Sequence, residues 1–177
     1  MLAHMDWVGV DKAVLYQGHI YGRLNDYLAD CVKKYPDRFV AVAQIDESRA
    51  SEESQLNEIR RSVRILGLKA LYFEVPQRPN IPNEKNFPLW DEVLDLKVPL
   101  VFDLGRPSTA EKYLEVVSRT VRVMKKFPDL KAIISVMGSN LCDPKDPEYV
   151  DIPQKILNLI KLPNVWYEIG SGVRQVR

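Results

Sequence analysis

The fold class is decided by residues 99–137, which read PLVFDLGRPSTAEKYLEVVSRTVRVMKKFPDLKAIISVM. The two ends of this stretch, Pro99–Leu104 and Lys131–Met137, are short and nearly continuous in apolar residues, as is typical of strands buried on both faces. The segment between them carries apolar residues at helical spacing, namely Leu114, Val117, Val121 and Met124. Two successive strands joined by a helix pair in parallel, so the stretch predicts a β-α-β unit.

The same alternation extends outward in both directions. The other predicted strands are Ala13–Tyr16, Phe39–Ile45, Leu68–Phe73 and Val165–Ile169. Apolar stripes predict further helices within residues 24–35, 51–67, 89–96 and 151–160. The predicted N-caps are Ser51 and, for the central helix, Ser108 with Glu111 at capping-box spacing. Six strands alternating with helices predict an α/β protein with a parallel sheet.

Two architectures fit this alternation, an open doubly wound sheet and a (β/α)₈ barrel. The barrel normally needs eight strands and about 250 residues. With 177 residues and six predicted strands, the chain is two strands short of a barrel. Its hydrophobic fraction of 46% suits one core, and residues 1–177 are expected to form a single domain.

Composition and missing motifs exclude several classes of function. The 25 Lys and Arg residues balance the 24 Asp and Glu residues, which argues against nucleic acid or an anionic membrane as a partner. Two distant cysteines, and no apolar run of about 20 residues, predict a soluble cytoplasmic protein. The sequence has no glycine-rich phosphate loop with Lys, no GxSxG and no HExxH, which argues against nucleotide binding, serine hydrolysis and zincin chemistry.

Polar residues cluster where the predicted strands end, and ligands bind at that end of parallel strands. The carboxylates there are Asp46, Glu74, Asp103 and Glu168, and Gln17 and His19 follow the first strand. Such a group could bind a hard divalent cation or supply general acid and base groups. The alternative is that each polar residue ends its strand and caps the following helix.

Several phrases, in order along the chain, carry a family resemblance. They are MDWVGVDKAVL (5–15), NDYL (25–28), KYPDRF (34–39), LGLKA (66–70), FPLW (87–90), PLVFDLG (99–105), FPDLK (127–131) and LPNVWY (162–167). They resemble the amidohydrolase-related family of metal-dependent hydrolases and decarboxylases, to which aminocarboxymuconate semialdehyde decarboxylase belongs. The resemblance covers almost the whole chain and implies a (β/α)₈ TIM barrel in which the six strands are the second to the seventh. The chain would then be an internal or truncated portion of the barrel.

The resemblance also implies a divalent metal, zinc or manganese, with ligands on strands one, five, six and eight of the barrel. Strands one and eight have no counterpart here. Asp103 occupies the position of the strand-five histidine, and Val136 that of the strand-six histidine. Asp103 is therefore the one candidate metal ligand at these positions, and Glu168 falls on the acidic strand-seven position. The family's metal chemistry is expected to be impaired in this chain.

Two functional hypotheses remain open. The first is an enzyme acting on a small carboxylic acid, either a decarboxylase of an aromatic or enolic acid or a hydrolase of a ring or ester bond, with Asp103, Glu74 and Glu168 as catalytic residues. Its substrate carboxylate would be held by His19, Gln17 and Arg106. The second is a non-catalytic barrel remnant that binds a small acid or forms a homo-oligomer through its two open sheet edges.

Overall fold

The computed structural model describes residues 1–75, 81–105, 109–135 and 153–168. The strands are β1 (Ala13–Leu15), β2 (Phe39–Ala41), β3 (Ala43–Gln44), β4 (Leu71–Glu74), β5 (Leu100–Asp103), β6 (Ala132–Ser135) and β7 (Val165–Tyr167). The helices are α1 (Leu2–Val8), α2 (Asn25–Lys34), α3 (Glu53–Arg64), α4 (Phe87–Leu96), α5 (Ala110–Lys126) and α6 (Gln154–Ile160). Within these ranges no helix combines the length and the apolar character that crossing a membrane would need.

All strand pairs are parallel and follow the order of the chain, with β1 beside β2 and then β3-β4-β5-β6-β7. β2 and β3 form one continuous run, because Val42 N donates to Leu15 O (2.9 Å) on one side while Lys69 N donates to Ala41 O (2.9 Å) on the other. The predicted strand Phe39–Ile45 is thus confirmed, in two segments. A doubly wound sheet reverses its strand order at a switch point. The unbroken order therefore identifies a partial TIM barrel.

The main core lies between the outer face of this arc and the helices. Phe73 and Phe102 stack with ring centroids 5.7 Å apart, and Trp90 of α4 packs edge-on against both. Trp90 is fully buried, and its Nε1 donates to Asn83 O (2.7 Å), which satisfies the one polar atom of the side chain. The inner face has a smaller cluster, comprising Val42, Ala70, Tyr72, Val101 and Ile133.

Both predicted helix caps differ from the structure. The Ser51 hydroxyl hydrogen-bonds to Asn86 instead of capping α3, whose N-cap is Glu52. α5 begins one residue later than the capping-box spacing requires, and Thr109 Oγ1 accepts a hydrogen bond from Lys112 N (3.3 Å). Glu111 therefore lies one position too early in the helix to complete a capping box. Ser108 lies outside the described residues.

Candidate active site

Three polar side chains form a row across the carboxyl ends of the central strands. Glu74 of β4 is in register with Asp103 of β5, which is in register with Ser135 of β6. Residues in register in parallel strands point to the same face of the sheet. This is the inner face, because Tyr72, two residues before Glu74, belongs to the inner cluster.

Asp103 and Tyr72 are directly hydrogen-bonded. The Tyr72 hydroxyl donates to Asp103 Oδ2 (2.7 Å), and Gly105 N donates to Asp103 Oδ1 (2.7 Å). The Tyr16 ring, which follows β1, stacks on Tyr72 at a centroid distance of 5.0 Å. The hydroxyls of Tyr16 and Ser135 are also hydrogen-bonded, so Tyr16 joins the first strand to the far side of the row.

Burial raises the pKa of Asp103 above its ordinary value. The hydrogen bonds from Tyr72 and Gly105 lower that pKa, and the nearby carboxylates of Glu74 and Glu168 raise it. Burial, followed by the hydrogen bond to Asp103, also raises the pKa of Tyr72. The pair therefore combines a carboxyl group whose pKa is raised with a phenol that stays protonated and donates to it, an arrangement suited to proton transfer at the carboxyl group.

Gln44 of β3 lies beside this pair. It is in register with Tyr72, and its side chain is 3% exposed. Asn25, at the start of α2, holds the Gln44 backbone on both sides: Asn25 Nδ2 donates to Gln44 O (2.9 Å), and Gln44 N donates to Asn25 Oδ1 (2.9 Å). In the part of the chain that the structure describes, Gln44 Oε1 is buried and accepts no hydrogen bond.

The structure places several predicted residues at this site. Glu74 and Asp103 are neighbours in the row, and Glu168 follows β7 close enough to influence the pKa values of Asp103 and Tyr16. A Cβ atom added at Gly18 would lie 3.5 Å from Glu74 Oε2, so the loop after β1 lies against Glu74. Asp46 instead caps a short 3₁₀ turn, accepting from Ser48 N (3.1 Å).

The predicted substrate-binding residues are less fully described. Gln17 Nε2 donates to Gly22 O (2.7 Å) and so holds the loop after β1 together. His19 lies in the 3₁₀ turn His19–Tyr21 of that loop. Arg106 and Val136 lie outside the described residues. The roles assigned to Gln17, His19 and Arg106 remain predictions.

Sequence reasoning did not single out Tyr16, Gln44, Tyr72 or Ser135. Each lies in or next to an apolar strand, and its inward direction follows from the register of pairing rather than from its own sequence neighbourhood. The available signal was alternation: Tyr72 and Glu74 are two residues apart, as are Val42 and Gln44.

The described donors do not fit a divalent metal. Both oxygens of Asp103 already accept hydrogen bonds, at 2.7 Å each. Across residues 1–75, 81–105, 109–135 and 153–168, no group of three His, Cys, Asp or Glu side chains is placed to hold an ion. Zinc and manganese sites in proteins normally use several such ligands.

Comparison with known proteins supports the barrel assignment. The family model described as "Amidohydrolase" matches residues 1–175. No curated protein sequence matches the chain significantly.

Three solved structures show what the fold is similar to. A 5-carboxyvanillate decarboxylase from Novosphingobium aromaticivorans, with bound manganese, is 22% identical, with a TM-score of 0.57 over 77% of this chain and 49% of its own. A 2,6-dihydroxybenzoate decarboxylase from Rhizobium is 17% identical, with a TM-score of 0.63 over 94% and 75%. A protein named as a probable 2-pyrone-4,6-dicarboxylic acid hydrolase from Acinetobacter baumannii is 18% identical, with a TM-score of 0.68 over 96% and 58%. The chain thus spans about half the length of the first of these structures.

Proposed function

Because this chain belongs to the amidohydrolase family, we propose that it forms part of an enzyme that decarboxylates or hydrolyses a small, aromatic carboxylic acid. The observation that carries the proposal is the Tyr72–Asp103 hydrogen bond, which lies at the carboxyl ends of the strands beside Glu74 and Ser135. Active sites of TIM barrels lie at this end. The three solved relatives named above include two decarboxylases of aromatic acids, which favours that substrate class.

Asp103 is the proposed acid and base. Decarboxylation replaces a C–CO₂⁻ bond with a C–H bond, so a proton must reach the carbon that loses carbon dioxide. Asp103 is suited to deliver this proton because burial and the Glu74 and Glu168 carboxylates raise its pKa. Tyr72 is a positioning residue, since its hydroxyl fixes the direction of the Asp103 carboxyl group.

A positively charged side chain from outside this row is needed to bind the substrate carboxylate. The described side chains at the site are hydroxyls, an amide and carboxylates, and a carboxylate substrate would be repelled by Glu74 and Glu168. Arg106 and His19, with the Gln17 amide, are the proposed binding residues, because charge-assisted hydrogen bonds to a carboxylate are strong.

The metal chemistry of the family is proposed to be impaired in this chain. Asp103 remains the candidate ligand for zinc or manganese, but its oxygens are committed to Tyr72 and Gly105. Elemental analysis of the purified chain tests this directly. A near-stoichiometric metal that is lost in Asp103→Ala would contradict impairment and establish Asp103 as a ligand.

An activity assay tests the proposal itself. The chain is incubated with a panel of hydroxybenzoates and with a pyrone dicarboxylate, in manganese, zinc or chelator, and carbon dioxide release and hydrolysis are recorded. We expect turnover that falls about 100-fold or more in Asp103→Asn, the usual loss for an acid-base group. Asp129→Asn, a change at an exposed carboxylate in a loop, is the matched control. Equal activity in both variants would remove Asp103 from the mechanism.

The second candidate is a non-catalytic module that binds a small acid or forms a homo-oligomer. It is favoured by the apolar side chains exposed on the inner face, among them Val14 (59% exposed) and Trp166 (50% exposed). Binding of an aromatic acid without turnover under any metal condition would select this candidate over the enzyme.

A further inference from the structure

The side-chain oxygen of Gln44 is buried and has no hydrogen-bond partner among the described residues. The residue is 3% exposed, and within the described ranges its Oε1 atom accepts no hydrogen bond. Nearly all buried side-chain oxygens in folded proteins are hydrogen-bonded, because removing such an atom from water without a partner is unfavourable. The position therefore calls for a donor from elsewhere.

The Gln44 side chain lies on the inner face of the sheet, the face that carries the candidate site. Gln44 alternates with Val42, which belongs to the inner cluster, and is in register with Tyr72. Its neighbours Ala43 and Ile45 belong to the outer core, which fixes the face on which Gln44 lies. The two hydrogen bonds between the Gln44 backbone and Asn25 hold the strand in this orientation, so the Gln44 side chain stays on the inner face.

The hydroxyl of Tyr72, which is in register with Gln44, cannot supply the missing proton. Tyr72 has a single hydroxyl proton, and it is donated to Asp103 Oδ2 (2.7 Å). A ligand bound on the inner face beside Tyr72 would bring its own hydroxyl or N–H group within reach of Gln44.

We propose that Gln44 is a specificity-determining residue whose Oε1 atom accepts a hydrogen bond from a hydroxyl or N–H group of the bound small acid. The inference rests on the proposed function for the acid, and it adds which acids the site prefers: those that carry a donor group on the ring. Sites built to hydrogen-bond a substrate donor discriminate against analogues that lack it, because the buried acceptor is then left unpaired.

Nuclear magnetic resonance on the 177-residue chain tests the proposal with three probes: benzoate, 3-hydroxybenzoate and phenol. The Gln44 side-chain amide signals are identified by their loss in Gln44→Met, a variant of similar size without the acceptor. We expect 3-hydroxybenzoate, whose hydroxyl cannot bond to its own carboxylate, to bind about tenfold more tightly than benzoate, the factor typical of one neutral hydrogen bond, and to shift the Gln44 amide signals. Gln44→Met should abolish the tenfold preference.

The Gln55 side-chain amide is the internal control. It is also buried, but its Oε1 already accepts from Asp46 N (2.9 Å), so its signals should not move. If Gln44→Met does not fold, the unmodified chain still tests the proposal: a shift of the Gln44 amide signals alone supports it, and no shift of these signals overturns it.

The outcomes separate this inference from the proposed function. Equal binding of both acids, or a preference that persists in Gln44→Met, overturns the role of Gln44 and leaves the small-acid site standing. If neither acid binds, the proposed function fails, and phenol then decides the inference. Phenol binding with a shift of the Gln44 amide would retain Gln44 as an acceptor, whereas no phenol binding would overturn that as well.

Discussion

At the scale of single residues, the Asp103 carboxyl group is subject to opposing effects. Burial and the carboxylates of Glu74 and Glu168 disfavour its ionised form, while hydrogen bonds from Tyr72 and Gly105 favour it. Burial is the largest effect, so the pKa of Asp103 lies above its ordinary value. A group placed this way lowers the stability of the fold once it is ionised, a cost often found at functional sites.

This raised pKa predicts a particular pH dependence of stability. As pH rises above the ordinary Asp pKa of about 3.9, the unfolded chain loses its proton before the folded chain does. The Asp103 contribution to the free energy of unfolding is thus fully present below that pH and is lost as pH rises through the raised, folded-state pKa. In Asp103→Asn this loss should disappear. Urea unfolding at a series of pH values measures the free energy of unfolding of both proteins. We expect the stability of Asp103→Asn relative to the parent to increase with pH between the two pKa values and to stay constant at higher pH.

The control for this series is Asp129→Asn, which removes an exposed carboxylate in the loop before β6. The free energy of unfolding of Asp129→Asn should differ from that of the parent by a nearly constant amount at every pH. A constant difference for Asp103→Asn as well would mean that ionisation of Asp103 does not weaken the fold.

Sequence reasoning at this scale found residues that end strands and missed residues within them. Glu74 and Asp103 were predictable because each closes an apolar run at the end where barrel sites form. Tyr72 and Gln44 were not, because each lies within a mostly apolar run, and only the pairing register shows which residues of that run point inward. The residue types alone do not reveal that face.

At the scale of elements, Asn25 connects α2 to the sheet and to α3. It is 2% exposed, and besides its two bonds to the Gln44 backbone it has a second Nδ2 proton, which is shared between Glu58 Oε1 (2.8 Å from Nδ2) and Ser62 Oγ (3.1 Å). One short side chain thus fixes both the helix and the strand that presents Gln44. The buried position of Gln44 depends on this connection.

We expect Asn25→Ala to lower the free energy of unfolding by about 3 kcal/mol. The change would leave the Gln44 N–H and C=O groups buried without their Asn25 partners, and each unsatisfied group costs about 1–3 kcal/mol. Urea unfolding measures the loss. Asn57→Ala on the exposed side of α3, where Asn57 Oδ1 accepts from Arg60 Nη1 (2.9 Å), should cost less than about 0.5 kcal/mol. Equal losses in the two variants would show that the Asn25 bonds do not hold the elements together.

The order of elements was predictable and some of their ends were not. Apolar runs and helical stripes located the strands and helices because burial on two faces and on one face produces different periods. The cap of α5 was misplaced because adjacent residues, Ser108 and Thr109, are both good caps, and backbone geometry selects between them. The Ser51 hydroxyl instead hydrogen-bonds to Asn86. These residues are 35 positions apart in the sequence, so a local sequence pattern could not predict the contact.

At the scale of the whole molecule, the arc of strands has an edge at each end. In the described ranges β1 pairs only with β2, and β7 pairs only with β6. The inner face between these edges exposes Val14 and Trp166, the latter in register with Ile133 of the inner cluster. Open parallel edges beside exposed apolar side chains favour association with another chain.

This arrangement predicts that the chain forms homo-oligomers through the inner face and its edges. Sedimentation velocity over a range of concentrations should show association, and Trp166→Lys should raise its dissociation constant by about tenfold or more, because a buried tryptophan commonly dominates such contacts. Trp7→Lys is the matched control, since Trp7 is an exposed tryptophan (80%) on a helix, α1, rather than on a strand. A monomer at every concentration would contradict the homo-oligomer, and an equal effect of both substitutions would place the contact elsewhere. If Trp166→Lys alone weakens association, the face proposed to bind the substrate is also the one through which copies meet, and adding 3-hydroxybenzoate should then shift the association equilibrium.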